Sequence, residues 1–210
     1  MIFENRSQAG KLLATKLVDL KKEGNLLVLA IPRGGVVVGK ELAVSLNCPL
    51  DVIITKKIGA PGNPELAIGA VGAIGEPIID EKLATQVGAD EKYLQSSILK
   101  IKSEAERREK EFRQGKSPLE LRNKAVILAD DGVATGATML AAIDIVRQQD
   151  PKKIIVAVPV VARDSLAKIE KLADEVVFLE APEQFFAVGQ FYENFEQVTD
   201  AEVVRSLNNY

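Results

Sequence analysis

The chain has 210 residues, with 27 Lys and Arg against 30 Asp and Glu, a net charge of −3 and no histidine. An acidic pI near 5.3 argues against a nucleic-acid surface, and 47% hydrophobic residues argue against disorder. Without histidine, Ser-His and Cys-His nucleophiles and His-ligated metals are excluded. Any metal should be a hard, oxygen-ligated cation such as magnesium, and chemistry must come from carboxylates, Lys, Arg, Tyr and backbone dipoles.

Residues 7–23 predict an amphipathic helix, with Leu12, Leu13, Leu17 and Leu20 on one face and Ser7 as its cap. Leu26 to Ile31 predicts a buried strand, Val36 to Leu46 a helix and Leu50 to Thr55 a second strand. Residues 56–80, rich in Gly and Pro, predict a mobile loop and then a short hairpin. Residues 90–114 predict a long charged helix with Glu104–Arg108, Glu106–Lys110 and Glu109–Arg113 at i,i+4, ended by Gly115 and Pro118. Val126 to Leu128 is a strand, Met139 to Gln149 a helix, Lys153 to Val160 a strand, Asp164 to Leu172 a helix and Glu175 to Leu179 a strand. Such alternation predicts one α/β domain over 1–210, with an open, mostly parallel sheet flanked by helices. No apolar stretch approaches the roughly 20 residues that span a bilayer. The N-terminus lacks a signal-peptide pattern, and the one cysteine, Cys48, reads as a small core residue. A cytoplasmic protein without membrane or nucleic-acid partners is expected.

The run VILADDGVATGAT, residues 126–138, carries the most chemistry. A buried strand ends in Asp130 and Asp131, and a turn of small residues leads into a helix. The turn, Gly132, Val133, Ala134, Thr135, Gly136, Ala137 and Thr138, lets amides converge at a helix N-terminus, where a phosphate binds. The adjacent carboxylates would repel that phosphate, but suit sugar hydroxyls or a hard cation one sugar away. This run resembles the signature of type I phosphoribosyltransferases, which bind 5-phosphoribosyl 1-pyrophosphate. The resemblance implies that Asp130 and Asp131 hold the ribose hydroxyls and that Gly132–Thr138 hold the 5-phosphate.

Nearly a hundred residues earlier, Arg33, Gly34 and Gly35 follow the first strand. They are similar to the family's pyrophosphate loop; a plain tight turn is the alternative. Gly34 to Lys40, GGVVVGK, also satisfies GxxxxGK, but a P-loop needs Ser or Thr where Glu41 stands. The family's lid falls near Lys56, Lys57 and Glu65. The resemblance implies that Lys57 helps neutralise pyrophosphate; solvated lysines are the alternative, and Glu65 either acts on the acceptor or caps a turn.

Five of the ten aromatics lie between residues 185 and 195. PEQFFAVGQFYENF resembles the base-binding segment of hypoxanthine–guanine phosphoribosyltransferases. Counting from Pro182 makes Phe185 the base-stacking ring, and counting from Gly189 makes it Phe186. Glu193 then joins Asp130 and Asp131 as a metal-side acid. A packed aromatic cluster is the alternative. Ala134 stands where those purine enzymes carry an Asp, and VPVVARD offers Arg163 rather than a purine-recognising Lys. The chain looks most like the phosphoribosyltransferases with RGG, NPELAIGAV and DDGVATGAT segments. That implies magnesium-dependent transfer to a nitrogenous base, with catalytic roles for Asp130, Asp131, Lys57 and Arg33 and, as often in the family, a homodimer. A non-catalytic protein of the same fold that binds phosphoribosyl ligands or nucleotides is the other class.

Overall fold

The computed structural model describes residues 1–208. Helix α1 (Arg6–Lys16) leads through a 3₁₀ turn (Val18–Glu23) to β1 (Leu26–Ala30), α2 (Gly34–Leu46) and β2 (Leu50–Val52). Strands β3 (Thr55–Ala60), β4 (Asn63–Gly72) and β5 (Ile78–Ile79) precede α3 (Glu81–Gln86) and α4 (Glu91–Arg113). Then come β6 (Ala125–Ala129), α5 (Ala137–Arg147), β7 (Lys153–Val160), α6 (Arg163–Ile169), β8 (Glu175–Glu180) and α7 (Asp200–Asn208).

The main sheet has the order β2-β1-β6-β7-β8, and all its pairings are parallel. Strands β1 and β6 are buried along their whole length, as expected of continuous apolar runs covered on both faces. One face packs on α1, α2 and α7 through Leu13, Val38, Leu42 and Val203; the other packs on α5 through Met139, Ile143 and Val146. Cys48 is buried in the first of these layers, and burial pushes its thiol up to about 11. Among the described residues no helix is long and apolar enough to cross a membrane.

The remaining strands form a second, antiparallel sheet, β3-β4-β5. This corrects the mobile loop expected over 56–80. Ile58, Ala60, Ile68 and Val71 bury one face of the sheet under Leu83, Tyr93, Leu94 and Ile98 of α3 and α4. The glycines that read as chain breakers serve close packing instead: a Cβ on Gly69 would lie 2.4 Å from the Ile78 carbonyl oxygen.

Helix 7–23 is also corrected. Asn5, not Ser7, caps it, accepting from the Gln8 amide at 3.0 Å; the Ser7 hydroxyl donates to Glu41 at 2.7 Å. After Lys16 the tighter 3₁₀ winding turns the chain towards β1 while keeping Leu20 on the core. Helix α7 is an addition, since apolar periodicity marked nothing past residue 195. Thr199 and Glu202 cap it reciprocally, each accepting from the other's amide.

Of the expected ion pairs in α4, Glu109–Arg113 forms, but it is buried rather than solvated. Arg113 Nε also binds Asp51 at 2.9 Å, and Nη2 donates to the Val52 carbonyl at 3.1 Å. The end of α4 is thereby tied to β2. Removing one partner of such a group leaves buried carboxylates uncompensated. Arg113→Ala is therefore expected to lower stability by about 3–5 kcal/mol, read as the shift of the urea unfolding midpoint. A change under about 1 kcal/mol would contradict this account of the group.

Candidate active site

Strand order reverses between β1 and β6, and open α/β sheets bind ligands outside the carboxyl ends of their strands at such a point. The register makes the two strands end level, with Ala30 opposite Ala129, and the Ile31 amide donates to the Ala129 carbonyl at 2.9 Å. The Arg33–Gly35 segment and the Asp130–Asp131 pair thus leave the sheet side by side. Contact between them is direct. A Cβ on Gly34 would lie 1.9 Å from Asp131 Oδ2, and one on Gly35 would lie 2.8 Å from the Asp130 Cα. Only glycine fits at either place.

After the acids, Val133 pairs with Val161 as an isolated parallel bridge. The Ser165 hydroxyl donates to the Ala134 carbonyl at 2.6 Å, pinning the turn. Gly136, at φ +79°, opens α5, and no side chain caps that helix. Thr135, Ala137 and Thr138 are exposed. The first-turn amides of an 11-residue helix therefore stand beside an open, small-residue loop, which suits a phosphate. The Thr55 hydroxyl donates to the Thr138 carbonyl at 3.5 Å, so the second sheet begins against this loop.

Residues 2–196 match the family described as the phosphoribosyl transferase domain. The chain belongs to that family. A protein of Mycobacterium tuberculosis, provisionally named a phosphoribosyl transferase and present in two strains, is 40% identical over 207 residues. The match covers 99% of this chain and 46% of that protein, so the chain spans about half the length of the curated relatives it matches. The crystal structure of the protein TT1426 from Thermus thermophilus is 41% identical, with a TM-score of 0.88, covering 100% of this chain and 99% of that one. The phosphoribosyl transferase fold accounts for the sheet and for the loops that meet at its switch point.

Helix α2 begins at Gly34, so Gly34–Lys40 is helix rather than a phosphate-wrapping loop, and the P-loop alternative is set aside. Asp130 is half-buried and accepts from the Asp131 amide at 2.8 Å. Burial, and then the neighbouring Asp131 charge, push its carboxyl well above the ordinary carboxylate range.

Two residues of the site were not assigned a role from the sequence. Arg6 Nε donates to Asp131 Oδ2 at 2.6 Å, with both side chains nearly buried, and the Tyr192 hydroxyl donates to the Asp131 carbonyl at 2.6 Å. Burial, then the Asp131 charge, raise the Tyr192 phenol above its usual range. Nothing in the MIFENR run marks Arg6 before the fold brings it back. Tyr192 lay in the aromatic cluster but carried no role of its own.

The structure does not gather Asp130, Asp131 and Glu193 as a metal-holding group. Tyr192 is extended, so its neighbour Glu193 points away from the acid pair and is exposed. Phe185 packs on Phe191 with ring centroids 5.0 Å apart, while Phe186 is 85% exposed. Of the two candidate stacking rings, Phe186 is the more exposed and Phe185 is half-buried. Val188 lies against Gly132, where a Cβ would come within 2.5 Å of its Cγ1, so this segment borders the phosphate loop. Lys57 pairs with Glu65 at 2.8 Å and Lys56 with Glu104 at 2.7 Å, while Arg33 Nη1 lies 3.7 Å from Asp200. A single added methyl group probes the contact between the two loops. Gly34→Ala must push the glycine loop from Asp131, and its thermal unfolding midpoint is expected to fall by several degrees. An unchanged midpoint would show that the loop and the acids are not in contact.

Proposed function

We propose that the chain transfers a phosphoribosyl group from 5-phosphoribosyl 1-pyrophosphate to a nitrogenous base, releasing pyrophosphate with the help of magnesium. The observation that carries this reading is the level ending of β1 and β6, which sets Gly34 and Gly35 directly against Asp131 and Asp130. One ligand long enough to touch both loops and the α5 N-terminus must carry anions at two ends and hydroxyls between them.

In this reading the amides of 135–138 hold the 5-phosphate, with the Thr135 and Thr138 hydroxyls beside them. Asp130 accepts from the ribose hydroxyls, and in its ionised form it favours the cationic sugar that forms as the C1–oxygen bond to pyrophosphate breaks. The Arg33–Gly34–Gly35 segment receives the departing pyrophosphate, with Lys57 reaching it once it leaves Glu65. The base nitrogen bonds to C1 and loses its proton to water. Phe186 offers its free face for stacking the base. The β3–β4 sheet, standing against Thr138, shields the cationic sugar from water. Asp130, whose carboxylate offers a hard oxygen donor, would hold magnesium. When bound it would neutralise charge on the leaving group.

The regulatory reading has its own support, since Arg33 and Lys57 are already paired with carboxylates. Pyrophosphate release separates the two. Incubated with 5-phosphoribosyl 1-pyrophosphate, magnesium and a panel of purine and pyrimidine bases, the chain is expected to release pyrophosphate with at least one. Asp130→Asn should cut that rate by about 10²–10³-fold. Binding of the sugar phosphate without release on any base would favour the regulatory reading.

A further inference from the structure

Two adjacent acids at a sugar-phosphate site invite one shared role, but here their surroundings differ. Asp131 is held through one carboxylate oxygen, its amide and its carbonyl. Oδ2 accepts from Arg6 Nε at 2.6 Å, its amide donates to Asp130 Oδ1 at 2.8 Å, and its carbonyl accepts from Tyr192 at 2.6 Å. Gly34 closes over the same Oδ2, near enough that no Cβ would fit between them.

Arg6 is held just as firmly. Nη1 donates to the Glu196 carbonyl at 2.8 Å, and the guanidinium lies 3.7 Å from the centroid of the Phe195 ring. That ring stacks on Tyr192 with centroids 5.1 Å apart. The Arg6 and Asp131 side chains are only 11% and 13% exposed. A pair so shielded from water keeps its attraction, and a planar guanidinium held at two nitrogens and one face has little freedom to leave. A divalent cation on Oδ2 would have to displace Arg6 and leave its charge shielded and unpaired, and one on Oδ1 would sit beside the Arg6 charge. Asp130 has no cation of its own: among the described residues its carboxylate accepts only the Asp131 amide.

We infer that Arg6 is the resident counter-ion of Asp131, a positioning residue that withholds this carboxylate from divalent metal and leaves Asp130 as the acid open to ligand. The two acids then divide the work. Asp131 fastens the glycine loop, the N-terminal helix and the C-terminal segment to the end of β6, and Asp130 meets the sugar. The inference rests on the proposed function only in what it takes the ligand to be.

The test uses metal without any sugar phosphate, so its outcome is separate from that of the pyrophosphate assay. Magnesium is titrated calorimetrically into the ligand-free chain, and manganese binding is followed by the electron paramagnetic resonance of the free ion. The wild type should bind either ion no tighter than millimolar. Arg6→Gln, which uncovers a second carboxylate, should bind at least about tenfold tighter, and adding Asp131→Asn to it should abolish the gain. Arg6→Lys keeps the charge and should stay close to wild type, which a purely structural role would not predict. An Arg6→Gln chain with unchanged affinity overturns the inference. Should that variant unfold, Asp131→Asn alone decides: unchanged manganese binding supports the inference, and weakened binding overturns it.

Discussion

The site depends on one constraint: β1 and β6 end level at the point where the strand order reverses. That register brings two loops, nearly a hundred residues apart in sequence, into van der Waals contact. It holds only because Gly34 and Gly35 have no side chains at the contact. The helices on both faces exist, in physical terms, to cover the apolar strands that set the register. The short turn to α5 then places uncapped helix amides just past the acid pair. Geometry rather than an unusual residue makes the site.

Charge around the site is arranged in two grades. Arg33–Asp200 and Lys57–Glu65 are exposed pairs, the first with a separation of 3.7 Å. Such pairs are worth about 0–1 kcal/mol, so an anion that approached Arg33 or Lys57 would displace Asp200 or Glu65 at little cost. Arg6–Asp131 is short and shielded, and belongs to the framework instead. The same sheet that exposes Lys57 is fixed to α4 through its buried apolar face and through the Tyr93 hydroxyl on the Gly59 carbonyl at 2.8 Å. The second sheet is thus firmly packed, while its Lys57 and Glu65 side chains stay exposed.

Much of this was legible in the sequence. Continuous apolar runs gave four of the five main-sheet strands to within a residue or two, because buried parallel strands leave that pattern. The expected second strand, Leu50 to Thr55, ran together two elements: β2 stops at Val52 and β3 starts at Thr55 in another sheet. Periodicity could not see that change of partner. Gly and Pro in 56–80 suggested mobility, since their role in close strand packing appears only once the neighbouring backbone is known. The acid pair and its turn stood out because small residues, acids and a following helix occur together. Arg6 did not, because its importance comes from a contact across 125 positions. Tyr192 and Glu193 show the limit of spacing arguments: adjacent in sequence, they point opposite ways because the backbone at Tyr192 is extended. The TDAE run at 199–202 is a readable capping box, but its few apolar residues hid α7 from a search by periodicity.

The most direct test of the central claim is a crystal structure with 5-phosphoribosyl 1-pyrophosphate and magnesium bound. The account predicts the 5-phosphate on the amides of 135–138, the ribose hydroxyls on Asp130 and the pyrophosphate along Arg33–Gly35, with Arg6 still on Asp131. Ligand bound elsewhere, as in the cleft of about 680 Å³ lined by Val44, Leu50, Arg113 and Leu207, would contradict it, as would a phosphate away from the α5 N-terminus.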